Sequence, residues 1–183
     1  MPDAAAFLFE TPRLRCRRWT ADDVDAVYAL YSDPQAVRWV GDGTPITPEA
    51  CRTWMDVTAR NYAQRGYGMF ALEARDSGRL VGFCGLVHPG GQPEPEIKYA
   101  FLPAVWGQGL AGEAVPALLA YGARVHGLQR IVATVAPENV VSQKVLTRAG
   151  ARLLSERLND DGTTTQVFEW RAPSDALADE RPA

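Results

Sequence analysis

The chain has 183 residues, 46% hydrophobic and 22% charged, with 22 acidic against 19 basic side chains and a formal net charge of -3. A chain of this length buries roughly 70% of the surface its unfolded form exposes, so it needs no disulfide or metal staple, and its mild acidity argues against the basic face of a duplex nucleic-acid binder. Three scattered cysteines (Cys16, Cys51, Cys84) suit free buried thiols in a reducing compartment, and two histidines (His88, His126) leave almost no material for a zinc site or a His-centred triad, so no metal is expected.

The N-terminal MPDAAAFLFETPRLR lacks the basic-then-apolar layout of a secretory signal, and no apolar run approaches the ~20 residues of a membrane span. A cytoplasmic protein with no nucleic-acid or membrane partner is expected.

In chain order, residues 1–10 read as a loose arm. Arg13 to Trp19 alternates Leu14 and Cys16 with Arg13, Arg15 and Arg17, which predicts a strand. Thr20 with Asp23 opens a helix to about Ser32, its apolar side being Val24, Val27, Tyr28 and Tyr31. Asp33-Pro34 ends it, Gly41-Asp42-Gly43 marks a loop, and Thr47-Pro48-Glu49 starts a second helix that runs to about Arg65 and stops at Gly66. Tyr67–Arg75 and Leu80–His88 flank the turn Asp76-Ser77-Gly78 and predict a hairpin. After the loop PGGQPEPE comes a strand over Ile97–Leu102. Trp106 to Gly112 then leads into a helix closed by Gly127. Ile131–Val135 reads as a strand, Asn139 caps a helix through Ala149, and strands at about 151–158 and 163–170 surround Asn159-Asp160-Asp161-Gly162. This β α α β β β α β α β β order predicts a single α/β domain over residues 10–171, followed by a polar tail over 172–183.

The glycine-rich turn has a direct chemical use. The first turn of a helix has unpaired N–H groups and a partial positive charge, and glycines remove the Cβ atoms that would keep a phosphate away from them. Gly107, Gln108, Gly109, Leu110, Ala111 and Gly112 therefore form a candidate pyrophosphate cradle; the plainer alternative is a tight turn under Trp106. The spacing Gly107-x-Gly109-x-x-Gly112 also matches a dinucleotide fingerprint. That reading is weak, because several strands precede it and no ribose-binding acid follows at the usual distance.

The blocks EIKYAFLPAVWGQGLAGEAVPALLAYG and IVATVAPENVVSQKVLTRAGA, with the opening TPRLRCRRWTADDVDAVYALYSDPQAVRW and the strand VGFCGL, resemble the GNAT acetyltransferases, and more closely their ribosomal-protein N-acetyltransferase (RimJ/RimL-like) type. The resemblance spans about residues 10–170. It implies the GNAT fold, with a mixed, mostly antiparallel central sheet of about six or seven strands and about four helices. It also implies an acetyl-CoA cosubstrate without metal, and acetyl transfer to an amine acceptor, either a small molecule or a peptide N-terminus. By that resemblance Phe101 and Leu102 contact the pantetheine arm, Gly107 to Gly112 hold the pyrophosphate, and Asn139 caps the helix beside the CoA arm. Ser142 would face the thioester sulfur and Lys144 would reach a CoA phosphate. Trp106, where many members have Gln or Arg, points to the closer subgroup. Leu146 stands where many members carry a tyrosine as general acid, which leaves Ser142, water or no group at all as proton donor. Gly150-Ala151 replaces the usual Gly-Phe.

Glu96, at the head of the cofactor strand, is the candidate base, set against an ordinary exposed glutamate in a Pro-rich loop. Trp39 is the candidate acceptor contact, while Trp54 and Tyr62 read as core-facing and the histidines as structural or exposed, with His126 in a last helical turn where a cation is favoured. An α-amine near pKa 7.7–8.0 is roughly a tenth neutral at pH 7, against about 1 in 2,500 for a lysine amine, so weak base machinery suits an α-amine. The rival readings are a small polycationic acceptor of aminoglycoside or polyamine type, and a CoA-binding regulatory module without turnover.

Overall fold

A hairpin chain folded back on itself builds most of the sheet. The computed structural model describes residues 7–174, so residues 1–6 of the arm and 175–183 of the tail lie outside the described residues. Strands β1 (Phe9–Glu10), β2 (Leu14–Arg18), β3 (Met69–Ala74), β4 (Leu80–Val87), β5 (Glu96–Phe101), β6 (Arg130–Val135), β7 (Arg152–Leu158) and β8 (Thr164–Arg171) form one sheet in the order β1-β2-β3-β4-β5-β6-β8-β7. Eight strands stand where about six or seven are expected. The difference is the end of the arm, where Phe9 and Glu10 pair antiparallel with Cys16 and Arg15. A two-residue edge pairing leaves no periodicity to read.

Helix α1 (Val24–Tyr31) follows a 3-10 turn, and the Thr20 N–H donates to Asp23 Oδ2 at 2.8 Å as the spacing predicts. Its buried stripe is Val27, Leu30 and Tyr31, while Tyr28 is 38% exposed. The stripe is turned by one position from the expected one, with Leu30 inside in place of Tyr28, while Val27 and Tyr31 are buried as expected. Helix α2 (Pro48–Arg65) starts with the Thr47 hydroxyl accepting from the Ala50 N–H at 3.2 Å and stops at left-handed Gly66. Helices α3 (Leu110–His126) and α4 (Val140–Arg148) complete the set.

The sheet separates two apolar layers. Alternating residues of the central strands send Phe70, Leu72, Cys84, Leu86, Ile97, Phe101, Ile131 and Ala133 toward α3 and α4. Ala71, Phe83 and Met69 point the other way, toward Val27, Leu30 and Tyr31 of α1 and Cys51 of α2. All three cysteines are buried free thiols. No helix among the described residues is long and apolar enough to cross a membrane.

Strands β5 and β6 are the parallel neighbours in the sheet, joined by a crossover through α3. They meet at one ladder pair, Glu96 with Val132, beside the Val132 N–H bond to the Pro95 carbonyl at 2.9 Å. Beyond that pair they part, and the sheet opens.

Candidate active site

The opening leads into a cavity of about 820 Å³, walled by β5, β6, the start of α3, α4 and the loop between α1 and α2. Side chains along β5 alternate, so the cavity has two chemically different halves.

Tyr99 and Phe101 face α3 and α4, with the glycine turn beyond them. Gly107 (φ 75°) and Gly109 (φ 77°) occupy the left-handed region, and Gly109 caps α3. A Cβ added at Gly112 would meet nothing within 4 Å, so this first-turn position is open toward the cavity. Among the described residues the N–H groups of Gly107 to Ala111 have no backbone acceptor. Donors at a helix start with no side chains in front of them fit a pyrophosphate. Lys144 and Arg148 of α4 line the same cavity and supply positive charge.

The other candidates of this half are distributed unequally. Phe101 is buried and lines the cavity, and its carbonyl accepts from Trp106 Nε1 at 2.7 Å. Leu110 and Ala111 also line it. Leu102 packs instead against the α1-side core, with its N–H donated to the Val81 carbonyl at 2.8 Å, and Gln108 is exposed.

Asn139 caps α4, its Oδ1 accepting from the Ser142 N–H at 3.2 Å. This fixes Ser142, whose Oγ shares a 2.7 Å hydrogen bond with the Tyr99 hydroxyl. Burial pushes the Tyr99 phenol up to about 12, with the Ser142 bond acting in the opposite sense. Tyr99 thus stays protonated at neutral pH and can donate. No motif marks Tyr99; the one sequence signal for it is strand alternation, which sets it on the same face as Phe101. Leu146 is fully packed in the core, so the phenol in this cavity comes from β5 and not from α4.

Glu96 and Lys98 point to the opposite face. Glu96 is not an exposed loop residue: it begins β5, is 3% exposed, and accepts from the Thr134 hydroxyl and the Lys98 ammonium. Lys98 Nζ also lies 3.4 Å from Thr134 Oγ1, and Lys98 and Thr134 both line the cavity. The α1–α2 loop closes this half with Gln35, Ala36, Trp39 and Val40. Trp39 is 45% exposed, and the Arg38 guanidinium lies 4.7 Å from its ring centroid. Trp54 packs against Trp19 and Tyr31, and Tyr62 stacks on Phe70, both half-buried with their rings against the core.

The histidines lie elsewhere. His88 Nε2 meets the Tyr67 hydroxyl at 2.9 Å, and His126 Nε2 the Tyr121 hydroxyl at 3.1 Å. Burial, and then nearby Arg18, hold His126 below its usual pKa, so the environment disfavours the cation that its helix-end position suggests.

Fold and cavity together suit a transferase: the divided sheet opens onto a helix start bare of side chains, with a chemically different half of the same cavity beside it. The family model for an acetyltransferase (GNAT) domain matches residues 13–152, and the chain belongs to this family of acetyltransferases. The chain is 29% identical over 173 residues to the uncharacterized N-acetyltransferase YoaA of Bacillus subtilis (strain 168), covering 91% of this chain and 97% of that one. A GNAT-family acetyltransferase structure from Bacillus anthracis superimposes with a TM-score of 0.75 at 25% identity, covering 91% of this chain and 98% of its own. The ribosomal L7/L12 α-N-protein acetyltransferase RimL in complex with coenzyme A shares the fold, with a TM-score of 0.77 at 18% identity and coverage of 91% and 98%.

Proposed function

We propose that the protein transfers an acetyl group from acetyl-CoA, by direct attack, to the primary amine of an acceptor without a second positive charge, an α-amine of a peptide or small molecule. The observation that carries this is the cavity lining. Among the described residues it contains Lys98, Lys144 and Arg148 and no carboxylate side chain. A site for polyamines or aminoglycosides needs carboxylates to offset the desolvation of several ammonium groups. The RimL-type neighbour and Trp106 support placement near the ribosomal-protein N-acetyltransferases.

The cosubstrate supplies an acetyl group activated as a thioester. The residues that would hold it are the Gly107–Gly112 turn, Lys144, Asn139 and Phe101. Backbone N–H groups on the free edge of β5 can polarise a carbonyl in the gap. The Tyr99–Ser142 pair holds a proton facing the cofactor half and can pass it to a leaving sulfur. The presence of that phenol favours turnover over a binding-only module, since it supplies from β5 what Leu146 does not. On the acceptor face, Glu96 reaches the cavity only through Thr134 and Lys98.

Thiol release from acetyl-CoA tests the reading with a neutral tripeptide bearing a free α-amine, spermidine and an aminoglycoside as acceptors. The expected result is release with the tripeptide well above that with either polycation. Release driven only by the polycations, or by no acceptor, would overturn it.

A further inference from the structure

An amine entering the acceptor half meets a fixed positive charge. Glu96 is 3% exposed and does not line the cavity, whereas its partners Lys98 and Thr134 do. Strand alternation sets Lys98 on the face of Ala100, toward the α1–α2 loop that carries Trp39 and Val40. The Lys98 side chain is 28% exposed, so its ammonium is neither sealed in nor free in solvent. It cannot swing away without leaving the Glu96 carboxylate buried beside Thr134 alone, which is costly. The tether is specific to this side: on the cofactor side, Lys144 and Arg148 of α4 have no carboxylate partner among the described ion pairs.

Two ammonium groups in one small space disfavour each other's charged form. Lys98 is ion-paired with the Glu96 carboxylate, and an incoming amine has no such partner. Acetyl transfer uses only the neutral amine, so the repulsion acts in the productive direction. We propose that Lys98, held in place by Glu96 and Thr134, drives the acceptor amine into its neutral, nucleophilic form. The acceptor ammonium gives its proton to water, its nitrogen lone pair forms the C–N bond, and the C–S bond breaks. The thiolate takes a proton from the Tyr99–Ser142 pair, the nitrogen releases its remaining extra proton to solvent, and the pair regains a proton from solvent. Glu96 and Thr134 are then positioning residues. The inference rests on the reading of the protein as an amine acetyltransferase.

The other charged groups around Lys98 are placed to leave this effect intact. Its β4 partner is Gly85, with no side chain. Arg38 stands over Trp39, Lys144 and Arg148 line the far wall, and Glu94 and Glu169 are both taken up by Arg130. In the α1–α2 loop, Asp33 and Asp42 accept from the backbone N–H groups of Gln35 and Thr44.

The test is the pH profile of kcat, which reports the bound amine, at saturating acetyl-CoA and saturating neutral peptide amine, in the wild type and in Lys98→Met, Lys98→Arg and the double variant Glu96→Gln/Lys98→Met. The double variant removes both members of the pair, so no charge is left buried and unpaired. Loss of the ammonium is expected to move the acid limb up by about one pH unit, a roughly tenfold loss near pH 7 that fades at alkaline pH. Lys98→Arg restores the wild-type limb. Superimposable profiles for wild type and the two Met-containing variants would contradict the role of Lys98 while leaving the activity standing. No acceptor-dependent thiol release from the wild type at any pH would contradict both.

Discussion

The two halves of the cavity are built on different principles. The cofactor half relies on backbone: N–H groups at the start of α3, glycines that leave them uncovered, and Asn139 capping α4 beside Ser142. The acceptor half relies on side chains from three elements, with Lys98 and Glu96 on β5, Thr134 on β6 and Trp39 on the α1–α2 loop. Backbone donors tolerate change in neighbouring side chains, so the first half can stay constant while the second is altered to suit an acceptor. On the proposed reading the division also assigns the protons: the Tyr99–Ser142 donor pair stands on the cofactor face, and Lys98, which would act on the incoming amine, stands on the other.

Removing one side's chemistry should leave the other side's binding unchanged. The largest effect is expected from Tyr99→Phe, with kcat down about a hundredfold and the KM for acetyl-CoA nearly constant. Ser142→Ala should cost less, and the double variant no more than Tyr99→Phe, because the two hydroxyls act as a unit. Steady-state kinetics at saturating acceptor checks this. An equal rise in KM would mean that Tyr99 binds the cosubstrate and does not donate.

The smallest effect concerns neither half. His126 sits half-buried with its pKa lowered first by burial and then by Arg18, so the unfolded chain binds more protons than the folded one near pH 6. Its contribution to stability is complete above the unfolded pKa of about 6.5 and falls as pH drops through that value. Denaturant midpoints of His126→Gln should fall less steeply between pH 7 and pH 5 than those of the wild type.

The same division explains what could be read from the chain beforehand. The glycine turn and the Asn139 cap are local devices, legible because each residue type does one thing with nearby backbone. Glu96 was legible as a candidate, but its surroundings were not. Lys98 and Glu96 meet Thr134 only because β6 docks beside β5 with Val132 opposite Glu96, a register that no short motif encodes. The arm strand went unread for a related reason, since Phe9 and Glu10 acquire their conformation from Cys16 and Arg15. Tyr99 has no motif of its own: the tyrosine position on α4 is filled by Leu146, and the phenol is delivered from the strand by a pairing that local sequence does not encode.

The most direct test of the division is coenzyme A binding in the absence of any acceptor, measured by calorimetry for the wild type, Gly112→Val and Trp39→Ala. Gly112 is not among the glycines with positive φ and a Cβ there meets nothing, so the helix accommodates valine while its branches enter the cradle. The account predicts that Gly112→Val weakens binding at least about tenfold and that Trp39→Ala leaves it unchanged. Equal weakening by both, or none by Gly112→Val, would contradict it.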